Sequence, residues 1–69
     1  MPEDLHLTVE EWSPAGNFVR VIARADNIII ARAAFWAATR EFPQIHIRLR
    51  NRTLILDERK PRGPPVKGR

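Results

Sequence analysis

Cysteine and tyrosine are both absent from this 69-residue sequence. Without cysteine there is no disulfide, no thiolate ligand for zinc and no sulfur nucleophile. That usage fits a reducing compartment, and the expected location is the cytoplasm. Glycine occurs three times, twice near the end at Gly63 and Gly68. A glycine-rich phosphate loop therefore cannot be written. No apolar run approaches the roughly 20 residues that span a bilayer. The opening Met1-Pro2-Glu3-Asp4 is acidic and lacks the basic-then-apolar order of a signal peptide. The length suits a single domain, of the size of small bacterial accessory proteins. A chain this short buries only about 60% of its unfolded surface, so its stability margin is thin.

Basic residues are in excess, with a formal charge of +4, but the excess is local. Positions 1–57 hold seven arginines and seven acids, which cancel. Positions 58–69 hold Arg59, Lys60, Arg62, Lys67 and Arg69 against Glu58, five minus one. A high isoelectric point supplied by one segment says little about the surface of the rest. Pro61, Gly63, Pro64 and Pro65 among these cations leave nothing to bury. Residues 58–69 are therefore expected to be a flexible or polyproline-like tail after a 1–57 domain.

Leu5, Leu7 and Val9 alternate with His6, Thr8 and Glu10, the pattern of a half-buried strand. Ser13-Pro14-Ala15-Gly16-Asn17 reads as a turn, with Pro14 at its first corner and Gly16 supplying positive φ. Phe18–Ala25 follows as a second strand, with Val19, Val21 and Ala23 inward. This loop pairs Val9 with Val21 and Leu7 with Ala23 inside, and Trp12 with Phe18 and Glu10 with Arg20 outside. A helix is expected over 27–42, capped by Asp26 or Asn27 and stopped by Pro43. Ile28-Ile29-Ile30 opens it poorly, because β-branched residues lose χ1 freedom, but the alanines of 31–38 outweigh this. Ile45–Arg50 and Thr53–Asp57 form a second hairpin around Asn51-Arg52. Leu49 then meets Leu54, Ile47 meets Leu56, Arg48 meets Ile55 and His46 meets Asp57.

The fold class is thus α+β, ββαββ, a four-stranded mainly antiparallel sheet with one helix on one face. Strand order 2-1-3-4 makes every pair antiparallel; 1-2-3-4 with a parallel centre is the alternative.

Catalysis is not expected, and neither a cofactor nor a metal is. Ser13 has no histidine near it in sequence, and Glu10 and Glu11 point to opposite faces of a strand. His6 and His46 fall on the open face as solvated strand residues. A site built from His6, His46 and Asp57 would need strands 1 and 3 side by side in one register. The reading is of a non-enzymatic interaction domain with two candidate surfaces. Ile29, Ala33 and Trp36 line up beyond the sheet-facing arc of Ile28, Ile30, Ala31, Ala34, Phe35, Ala38 and Phe42. Arg32 and Arg40 flank that stripe, which suits a symmetric helix-to-helix homodimer. It could instead be covered by the chain's own N-terminus or by the Pro-rich tail docking on Trp36, or meet a different protein. Edge pairing is an alternative to helix pairing: strand 2 or strand 4, with the short apolar Thr53-Leu54-Ile55-Leu56 the stickier edge, could extend a sheet across a dimer or a bound peptide. The alternative function is single-stranded nucleic-acid binding on the open sheet face. Trp12, Phe18, Arg20, Arg24, His46, Arg48 and Arg50, with Ile22 and Ile55, would stack bases and pair phosphates there, assisted by the basic tail.

Overall fold

A computed structural model of the chain describes residues 6–61. Five elements follow one another: β1 (Leu7–Trp12), β2 (Phe18–Ala25), α1 (Ile28–Glu41), β3 (His46–Asn51) and β4 (Leu54–Arg59). The sheet order is β2-β1-β3-β4, with every neighbouring pair antiparallel. The ββαββ expectation and its 2-1-3-4 order both hold.

The first turn forms as the sequence chemistry requires. Gly16 takes φ 89°, its N–H donates to the Ser13 carbonyl at 2.9 Å, and the Ser13 N–H donates to Asn17 at 2.7 Å. Trp12 then stands opposite Phe18, as expected. The register beyond it departs from a regular ladder. Two irregularities add Val19 and then Ile22 to β2, so Glu11 meets Arg20, Glu10 meets Val21, Val9 meets Ala23 and Leu7 meets Ala25. An extra residue in one strand of a pair reverses the faces beyond it. Arg20 and Ile22 consequently lie on the helix side, and Val21 turns to the open face. The added residues also blunt β2 as an edge.

The second hairpin is corrected in the same way. Its turn is Arg52-Thr53, with Arg52 at φ 57°, and Asn51 pairs with Leu54. An extra residue at Leu56 then sets Leu49 opposite Asp57, Arg48 opposite Glu58 and Ile47 opposite Arg59. β4 therefore runs through Glu58 and Arg59, which the sequence reading gives to the tail. Of the rest of that expected tail, Lys60 and Pro61 lie outside any strand, and residues 62–69 lie outside the described residues.

Asn27 caps α1 by accepting the Ile30 N–H on its side-chain oxygen at 2.9 Å, and Phe42 closes it through a bond to the Ala38 carbonyl at 2.8 Å. The core comprises Leu7, Val9, Ala31, Phe35, Ala38, Ile47 and Leu49. Small Ala31 and Ala38 let the helix approach the sheet while Phe35 fills the space between. Fully burying such a side chain contributes about 1.5–3 kcal/mol. Ile28 and Ile30 were expected on that face, but they are 39% and 56% exposed. Ala31, Phe35, Ala38 and Thr39 hold the centre of the buried stripe, which rotates Ile30 to its flank.

Candidate interaction surfaces

α1 packs across β1, β2 and β3, leaving β4 with the least cover. Two side-chain contacts reach it. The Arg32 guanidinium donates to Asp57 at 3.2 Å, and Arg59 lies 4.9 Å over the Trp36 ring. These contacts occur in the same order along both elements, so α1 and β4 run the same way. The Ile29 end of the helix and the Leu54 end of the strand therefore lie at the same end of the sheet. Ile28, Ile29 at 76%, Ile30 and Leu54 at 61% are exposed there, whereas Ile55, opposite Arg50, faces the open side of the sheet and Phe18 and Val19 are exposed at the far end. Trp36 is also exposed further along, its edge set against Phe35. The helix stripe and the β4 edge, separate candidates in sequence, thus border one another. Arg32 and Arg40 flank the stripe as expected, with Arg32 engaged by Asp57. Arg59, which the sequence reading missed as a site residue, covers part of Trp36. No local signal pointed to it, because Arg59 reaches this position only through the extra residue at Leu56.

The open face is a polar network more than a platform. Glu10 is 4% exposed and receives Thr8 Oγ1 at 2.7 Å, Trp12 Nε1 at 3.0 Å and Arg50 Nε at 2.9 Å. Burial pushes its carboxyl up, but the bonds from Thr8, Trp12 and Arg50 and the Arg50 charge outweigh this, so it titrates below the ordinary range. Beside it, Glu58 takes His46 Nε2 at 2.5 Å and Arg48 Nε at 3.1 Å. The His46 bond, then Arg48 and both charges, hold the Glu58 carboxyl low against partial burial. Arg48 and Arg50 stack on Trp12 at 4.4 and 5.4 Å, and Phe18 meets its edge at 5.9 Å.

Of the expected nucleic-acid residues, the fold brings Trp12, Phe18, His46, Arg48 and Arg50 together. Arg24 is on this face but outside the network, opposite Thr8. Arg20 leaves it altogether: it pairs with Glu11 at 2.7 Å and lies over Phe42 on the helix side. His46 bonds Glu58 rather than the expected Asp57, which faces α1. His6 adjoins the Leu7 end of β1, whereas His46 pairs with Trp12 at the other end. Strands 1 and 3 are neighbours, yet the His6, His46 and Asp57 arrangement does not form. Among the described residues no three metal-ligating side chains cluster, and no helix is long and apolar enough to cross a membrane.

No family model matches the chain, and no curated protein or solved structure shows significant similarity to it.

Proposed function

We propose that this domain works by binding, and that it pairs with a second copy of itself along the side formed by α1 and β4. The observation that carries this reading is the placement of Ile29, Trp36 and Leu54. These exposed apolar residues belong to a helix stripe and an uncovered edge strand on one side of the sheet. Edge pairing would satisfy the free backbone groups of β4, and the stripe would close over the junction. β2, the opposite edge, is a poorer partner because its two irregularities interrupt a straight ladder.

Nucleic-acid binding has less behind it, since Arg48 and Arg50 already face Glu58 and Glu10 across the open sheet.

Absolute molar mass by light scattering, at two salt concentrations, tests the pairing. A mass near twice 8.0 kDa supports it. Trp36→Glu and Leu54→Lys should then each give a folded monomer. A wild-type monomer at high protein concentration, or unchanged mass in both variants, overturns it.

A further inference from the structure

We propose that the groove between the second half of α1 and the end of β4 binds a planar ring carrying a phosphate or carboxylate group. The groove has a volume of about 600 Å³ and is lined by Trp36, Thr39, Arg40, Pro43 and Arg59. That volume lies within the range of small-molecule sites.

Charge decides the kind of ligand. Arg20, Arg32, Arg48 and Arg50 each face a carboxylate. Arg40 and Arg59 face none among the described residues, and both line this groove. Among the described residues no acid shares the lining with them. Along β4, Glu58 is engaged by His46 and Arg48 on the open face and Asp57 by Arg32, and Glu41 borders a different groove on the β2 side of the helix. Two guanidinium groups on one concave surface, with no counter-charge among the described residues, favour an anion, and their forked donors match phosphate or carboxylate oxygens.

The aromatic requirement follows from the rest of the lining. Trp36 and Pro43 provide apolar walls, and Arg59 already stacks on the indole at 4.9 Å, which orients its guanidinium. The Thr39 hydroxyl donates to the Trp36 carbonyl at 2.7 Å, so its hydrogen is not free for a ligand. Arg40 lies in the last turn of α1, where the helix's partial negative charge opposes a bare anion. A small inorganic anion therefore gains little, whereas a ring laid on Trp36 adds the missing attraction. Nucleotides and aromatic carboxylic acids share this chemistry.

The site does not rest on self-association. The test uses amide and indole NMR signals of the full chain, titrated with adenosine monophosphate, phenyl phosphate, benzoate and inorganic phosphate. The same titrations are run on Ile29→Asp, which lies outside the groove and disfavours pairing. The Trp36 indole signal should shift saturably with the ring anions in Ile29→Asp, and less readily in the wild-type chain where pairing competes for Trp36, while that of Trp12 stays in place. Inorganic phosphate should bind at least tenfold more weakly, and Arg40→Ala and Arg59→Ala should each weaken binding about tenfold. Tighter binding of adenosine monophosphate identifies a nucleotide site, and tighter binding of benzoate an aromatic-carboxylate site. The proposal is overturned if no ring anion shifts Trp36, if inorganic phosphate binds equally well, or if the shifts persist when both arginines are replaced. Molar mass, measured separately, judges the pairing.

Discussion

Glu10 and Arg50, 40 positions apart in sequence, meet at 2.9 Å on the face of the sheet that the helix does not cover. Glu10 belongs to β1 and Arg50 to β3, and their contact ties the two central strands where no core does so. With Thr8 and Trp12 also donating, the carboxylate receives bonds from three side chains while nearly removed from water. Replacing it leaves donors facing one another. Glu10→Gln should lower the unfolding free energy by about 1–3 kcal/mol at neutral pH, read by urea titration.

The same network sets a pH dependence. Glu10 and Glu58 both titrate below the usual 4.5 in the folded chain. Their contribution is therefore complete above about pH 4.5, and it is lost as pH falls through the lower folded values. Thermal melting should show a steep decline below pH 4.5. In Glu10→Gln this acid limb should be shallower, and an identical profile in both proteins would remove the carboxylate from the explanation.

Phe35 and Ile29 contrast a core residue with a surface one on the same helix. Phe35 is fully buried, so Phe35→Ala should cost about 3–5 kcal/mol. In so small a domain that is enough to leave much of the chain unfolded. Ile29 is mostly exposed, and Ile29→Ala should change the stability of a dilute, unpaired chain by less than about 0.5 kcal/mol. A melting temperature for Ile29→Ala that falls only at high protein concentration would tie this residue to the pairing surface.

Two positions hold left-handed backbone with opposite consequences. Gly16 has open space where a Cβ would stand, so Gly16→Ala should cost roughly 1–2 kcal/mol through conformation alone. Arg52 already carries that strain at φ 57°. Arg52→Asn, a residue that tolerates this region, should raise stability by about 0.5–1 kcal/mol in urea unfolding. A loss at Arg52→Asn would show that its side chain does more than occupy the turn.

The capping oxygen of Asn27 supports a helix whose first turn has three isoleucines and no acid. Asn27→Ala should cost about 1 kcal/mol, measured by circular dichroism during urea unfolding, and Asn27→Asp should largely restore it.

Local chemistry was enough to read the elements and their order. Alternation at Leu7 and Val9, the Ser13–Gly16 turn, the alanine-rich helix before Pro43 and the absence of cysteine all act within a few residues, where sterics and hydrogen bonding decide. The 2-1-3-4 order followed from making one wholly antiparallel sheet. What the tertiary structure alone decided was the pairing beyond the turns. Extra residues at Val19, Ile22 and Leu56 broke the regular ladders, moved Arg20 and Ile22 to the helix side, and carried β4 on to Glu58 and Arg59. A strand's faces alternate at every residue, so one added residue redirects all that follow, and whether it is accommodated depends on core packing rather than on the local sequence. The two surfaces depended on the same step. Ile29 and Leu54, or Trp36 and Arg59, share a side of the molecule only because α1 runs parallel to β4 and reaches it through Arg32 and Trp36 while leaving it with the least cover.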